Sequence, residues 1–239
     1  MVSGKKILLT GPNVNSMRTL NGGWSYTWQG DRADECATDY NTILESFTNK
    51  FGTSNIIYEP GVTYKKGGAW WEENIPEIDK AVAAAANADY IVACIGENSY
   101  CETPGNLSNL FLSKNQLDLV KALATTGKPI ILVLNEGRPR IINEIEAISK
   151  SRYQTLCFRV TMVVTLWQTS WQVMLISAER CLIPIRKKST RYSLMTISRV
   201  RTLKRCRVLM DYDAVMSVQW AFGYGLSYTT YAYSNLKVD

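Results

Sequence analysis

Two unbroken apolar runs, YIVACI at residues 90–95 and PIILVL at 129–134, constrain this chain more than any other feature. Each has the length of one strand and lacks polar alternation, so both of its faces must be covered by protein. The cover lies in the segments between strands. Residues 42–51 place Ile43, Leu44, Phe47 and Phe51 at helical spacing, and Gly52 follows as a stop. Residues 75–88 are alanine-rich and strongly helix-forming, and 114–126 carry Leu117, Leu119, Val120 and Leu123 before Gly127. Two further strands are expected at 6–10 (KILLT) and 56–58 (IIY), each ending in a Gly/Pro turn. Strands alternating with helices predict a three-layer α/β/α sandwich around a mainly parallel sheet. In such sheets, function collects on the loops beyond the carboxyl ends of the strands.

At 239 residues the chain is expected to form one large domain or a domain with an appendage. With 46% hydrophobic and 20% charged residues it reads as globular. No apolar run approaches the ~20 residues of a membrane span, and MVSGKKILLTGPN lacks the apolar core of a secretory leader. The chain has no histidine, which excludes His-ligated zinc, Ser-His-Asp or Cys-His catalysis and any imidazole shuttle. Acid/base chemistry is left to carboxylates, Tyr, Lys or Cys. No Cys-x-x-Cys pair exists, and neither a metal nor a cofactor is expected. Cys94 falls inside an apolar strand, while Cys36 and Cys101 lie in polar loops and leave a bridge open.

The net charge of +6 is unevenly spread. Residues 151–210 hold 12 Lys+Arg against the single acid Glu179, whereas the rest of the chain has 15 basic and 20 acidic residues. The same stretch contains none of the 15 glycines. Composition therefore changes at about residue 150. Nucleic-acid binding through this stretch would need support elsewhere in the chain, and none exists, so neither nucleic acid nor membrane is expected as a partner.

The loop after the first strand contains Gly22-Gly23-Trp24 and Trp28-Gln29-Gly30. It is not a dinucleotide fingerprint, because no Gly-x-Gly-x-x-Gly opens a helix there. Trp24 and Trp28 suit either a platform for sugar stacking or a plug onto the core. The loop after YIVACI carries Glu97, Tyr100 and Glu102, followed by the turn Pro104-Gly105. A carboxylate at the mouth of a parallel sheet, beside aromatic rings, is placed to act as a general acid; a solvated surface glutamate is the plainer alternative.

Taken together, KKILLTGPN, GGWSYTWQGD, YIVACIGENSYCETPGN, PIILVLNEGRPR and WAFGYGLSYTTYAYSNLKV resemble the second domain of glycoside hydrolase family 3, the β-glucosidase and β-xylosidase group. The resemblance covers residues 1–150 and 211–239. It implies a six-stranded sandwich and a retaining glycosidase acting on terminal β-linked sugars. An Asp nucleophile would come from a preceding (β/α)8 barrel, and a Glu of this domain would be the acid/base. By motif position the acid/base falls on Glu102 and the stacking tryptophan on Trp24, with Trp28, Tyr100 and Glu97 as further substrate-binding residues. A retaining mechanism needs carboxyl groups about 5–5.5 Å apart, so the active site would lie where the two domains meet. A full-length bacterial member would be periplasmic or extracellular.

Two departures from the pattern follow. Nothing precedes the first strand, so the barrel and its nucleophile are expected to be absent and the chain inactive alone. The closing residues 211–239 would be the end of the sandwich and the first strand of a truncated fibronectin-III-like domain. In between, 151–210 loses the resemblance, which suggests a compensated frameshift. Plausible codons for residues 158–169, read from the third base, give PGNYGGDALAN, a helix-opening motif of the family; 178–187 and 194–204 give GKMPYTYPK and YDYKPSENVE at the same offset. The stretch lost would be the one carrying the fifth and sixth strands, and a sheet missing both would have an open apolar edge and a tendency to aggregate. A true basic insert binding an acidic partner is the alternative, against which its scattered charge speaks. A non-catalytic carbohydrate-binding or interaction module is the alternative function.

Overall fold

A computed structural model describes residues 4–148, 151–156, 185–186 and 218–220. Five parallel strands make one sheet in the order β2-β1-β3-β4-β5: β1 Ile7–Thr10, β2 Ile56–Tyr58, β3 Tyr90–Gly96, β4 Ile130–Asn135 and β5 Ser151–Leu156. A separate antiparallel pair joins β6 Ile185–Arg186 to β7 Val218–Trp220. The fifth strand lies past the compositional change at residue 150, so the sheet continues into the basic stretch. The expected sixth strand, the suspected frameshifted segment apart from β5 and β6, and the closing motif apart from β7 fall outside the described residues.

The helices are α1 Met17–Leu20, α2 Ala33–Cys36, α3 Ile43–Phe51, α4 Ile78–Ala85 and α5 Lys114–Ala124. The start of α3 is fixed by a capping box: the Thr42 hydroxyl accepts from the Glu45 amide and the Glu45 carboxylate accepts from the Thr42 amide. α4 is shorter than the expected 75–88. Pro76 biases the residue before it away from the helical region, and Ile75 stands 91% exposed outside the helix. The two short helices α1 and α2 have no periodic signal in the sequence.

Strand alternation sorts the core into two layers. Leu8, Ile91, Ala93, Ile95, Ile130, Leu132 and Leu134 point to one face and pack under α4 and α5 with Ala81, Ala85, Val120 and Leu123. Ile7, Leu9, Val92, Cys94 and Val133 point to the other and pack under α1 and α3 with Met17, Ile43 and Phe47. This is the expected sandwich, covered on both faces. No described helix is long and apolar enough to cross a membrane.

Leu132 is fully buried at the centre of β4. Leu132→Ala is expected to destabilise the chain by about 2–5 kcal/mol in urea unfolding, whereas the exposed Ile75→Ala should stay within about 0.5 kcal/mol.

Candidate active site

Chain order reverses across the sheet between β1 and β3, since β2 lies outside β1 and β4 outside β3. The crevice beyond the carboxyl ends of those two strands is the place where open α/β sheets bind ligands. The loops that line it are 11–31 and 97–106. Gln29 joins them: its side-chain Nε2 donates to the Cys101 carbonyl (3.1 Å) and its Oε1 accepts from the Cys101 amide (2.9 Å). Arg18 adds a second tie, donating from Nε to Ser99 Oγ at 2.8 Å. Gly23 sits so close to the other loop that a Cβ there would lie 2.5 Å from Cys101 Cβ, which explains why a residue without a side chain occupies it.

Trp24 and Trp28 close a tight turn, with the Trp24 amide donating to the Trp28 carbonyl at 2.8 Å. Trp24 is 71% exposed and Trp28 47%, with Tyr26 open between them. Neither indole is a plug into the core. Thr27 donates to Asp31 at 2.7 Å, which holds that carboxyl below its ordinary range.

Glu102 follows Cys101 and precedes a single 3-10 turn, Thr103–Gly105. Its side chain is exposed and has no hydrogen-bond or ion-pair partner among the described residues. Its backbone is at φ 52°, ψ −142°, a region costly for any residue with a Cβ. Only three described non-glycine residues have positive φ, namely Trp24, Tyr26 and Glu102, and all three are on these two loops.

Glu97 and Tyr100 take different positions. Glu97 is 3% exposed, and its carboxylate accepts from Arg140 Nη1 (2.7 Å), the Gly137 amide (3.0 Å) and Tyr100 Oη (2.8 Å), with Arg138 Nε at 3.4 Å. Its oxygens are engaged by partners inside the protein. Tyr100 is partly buried, stacks on Trp70 with centroids 4.6 Å apart and accepts from Arg138 Nε at 2.7 Å. Burial and the neighbouring Glu97 push its phenol up to about 12.

Sequence pattern alone assigns no role to the arginines of NEGRPR and does not single out Trp70. Trp70 and Arg138 lie directly behind the Glu102 turn: Trp70 Nε1 donates to the Pro104 carbonyl (2.7 Å) and Arg138 Nη2 to the Gly105 carbonyl (2.5 Å). The available signal was a tryptophan pair beside glycines, GGAWW, and an unusual Arg-Pro-Arg after an apolar strand. Cys36, Cys94 and Cys101 are all free thiols, so the bridge left open by the sequence is not formed in this structure.

Residues 2–154 match the glycosyl hydrolase family 3 C-terminal domain. The chain belongs to glycosyl hydrolase family 3. It is 41% identical over 141 residues to a lysosomal beta glucosidase of Dictyostelium discoideum, an alignment covering 58% of this chain and 17% of that protein. A periplasmic beta-glucosidase of Salmonella typhimurium is 34% identical over 149 residues, covering 56% of this chain and 19% of the relative. A beta-xylosidase of Formosa agariphila is 32% identical over 145 residues, covering 59% and 18%. The family 3 chain thus spans under a fifth of the length of these curated relatives. A solved beta-glucosidase from Listeria innocua shares the fold, with a TM-score of 0.67 at 20% identity over 95% of this chain and 30% of that one. The matched region and the sheet both run a few residues past the compositional change at 150.

Glu136, in the same family 3 domain, is 2% exposed; its Oε1 and Arg140 Nε lack hydrogen-bond partners among the described residues. Desolvation, reinforced by Glu97, pushes its carboxyl up to about 8, against the opposing pull of the Arg140 amide and guanidinium. A folded value above the unfolded one means that this group's contribution to stability is complete below about pH 4.5 and is lost as pH rises to about 8. The chain has no histidine to titrate in that window. Measured unfolding free energy should therefore fall as pH rises from 5 to 8, and Glu136→Gln should flatten the fall.

Proposed function

We propose that this domain supplies the acid/base half of a retaining β-glucosidase-type active site, with Glu102 as the proton-transfer group. The observation that carries the reading is the backbone of Glu102: an unpartnered carboxylate held in a strained conformation at the sheet's switch point, on a loop tied to one bearing exposed tryptophans. Strain of about 1–3 kcal/mol persists only where the surroundings over-determine it, and such residues cluster at functional sites. In the reaction Glu102 protonates the leaving glycosidic oxygen as the bond to the anomeric carbon breaks. It then takes a proton from the water that releases the sugar from the nucleophile. Trp24, with Trp28 beside it, stacks on the leaving sugar. Glu97 and Tyr100 act from behind the loop and do not grip the sugar.

The substrate is a terminal β-linked glycoside, in keeping with the beta-glucosidase and beta-xylosidase relatives. The nucleophile is a carboxylate of a (β/α)8 domain outside this sequence, so the chain alone does not turn over. The purified chain should release no nitrophenol from an aryl β-glucoside. Added to a family 3 barrel domain it should restore release, and Glu102→Gln should lower that restored rate by about 10²–10⁴-fold. Turnover by the chain alone, or a restored rate indifferent to Glu102→Gln, would overturn the assignment.

A second reading is favoured by the exposed indoles themselves, which a non-catalytic sugar-binding module would also display. Saturable quenching of tryptophan fluorescence by cellobiose, abolished in Trp24→Ala and unaffected by Glu102→Gln, together with a failed barrel complementation, would select that module.

A further inference from the structure

The left-handed backbone at Glu102 needs something to hold it, and the loop around it is fastened on both sides. On the amino side Gln29 pairs with both polar groups of Cys101. On the carboxyl side Trp70 and Arg138 take successive carbonyls of the turn, those of Pro104 and Gly105. Gly105 rests on the Tyr100 ring so closely that a Cβ there would lie 2.4 Å from it, so the turn cannot sink further.

These fasteners form one unit. The Arg138 guanidinium carbon lies 4.1 Å from the centre of the Tyr100 ring and 5.6 Å from that of Trp70, and the two rings touch each other. Tyr100 Oη receives Arg138 Nε and donates to Glu97, whose carboxylate is in turn fixed by Arg140 and the Gly137 amide. The segment that carries Trp70 is also anchored. Tyr64 Oη donates to the Gly96 carbonyl at 3.0 Å, and Glu73 accepts from Ser113, Asn115 and Gln116 at 2.7–2.9 Å. Trp70 thus stands on the ends of β3 and α5, and Arg138 on the end of β4.

We propose that Trp70, Tyr100 and Arg138 are positioning residues: a brace that imposes the strained backbone at Glu102 and so aims its carboxylate into the crevice. The purpose of the brace rests on the acid/base reading of Glu102; its test does not.

If the brace enforces the strain, replacing Glu102 by glycine relieves it only while the brace is intact. The amides of Gly105 and Asn106 donate to the Glu102 and Thr103 carbonyls, and their hydrogen exchange reports opening of this turn. In the full chain, Glu102→Gly should slow their exchange about three- to tenfold, while Glu102→Ala, which keeps the Cβ, should change it less than about twofold. In a Trp70→Phe background, which keeps the stack and removes the N–H, the glycine gain should shrink to less than about twofold, and Arg138→Met should do the same. Should Arg138→Met unfold the loop outright, Trp70→Phe carries the cycle, with the Ile95 amide as the control for global opening. An equal glycine gain in both backgrounds would show that the three side chains only add stability. No gain in the parent chain would show that Glu102 is unstrained. Either outcome overturns the proposal. No substrate enters the cycle, so its failure leaves the proton-transfer role of Glu102 standing, and a failed activity assay leaves the cycle intact.

Discussion

A carboxylate withdrawn from water carries a desolvation cost of several kcal/mol unless charged and hydrogen-bonding partners meet it. Glu97 sits at the carboxyl end of β3 with two arginines, a phenol and a backbone amide around it, and the support beneath the Glu102 turn is built on that cluster. Arg140 and Gly137 bring the loop after β4 against the loop after β3. Tyr100 and Arg138 then present a flat aromatic and cationic surface on which the Glu102 turn rests. Removing one partner would leave a buried charge uncompensated, so the loops after β3 and β4 hold their places together or not at all.

The division of labour among the carboxylates follows from where each meets water. Glu97 is buried and paired; Glu136 is buried with one oxygen unpartnered and is driven towards its neutral form; Glu102 is exposed on a strained turn. Only the last is placed to exchange a proton with something outside the protein. In the acid/base reading proposed above, Glu102 is the carboxylate that exchanges this proton, and the exposed tryptophans on the facing loop are the surface on which the leaving sugar stacks.

Much of this was legible in the sequence. The apolar runs of β3 and β4 have to be buried on both faces, which forces helices onto both sides of the sheet. The helical spacing of Ile43, Leu44, Phe47 and Phe51 and the glycines after helices marked boundaries to within a few residues. The α4 boundary shifted because Pro76 acts on the residue before it, which alanine content does not reveal. The change in composition at 150 was visible, yet β5 continues past it: pairing with β4 asks only for an extended backbone, and residues 151–156 supply one.

Periodicity, turn chemistry and residue type are local properties, and from them the sequence by itself determined the sandwich, the loops at its strand ends and the chemistry open to a chain without imidazole. Which polar residue on those loops faces water and which faces another loop was decided only by tertiary structure. Glu97 and Glu102 are five residues apart and chemically alike, yet one is closed off by Arg140 and Arg138 arriving from β4, and the other is held out by Trp70 from the segment before α4. Those contacts join residues more than 30 positions apart, and no pattern along the chain encodes them.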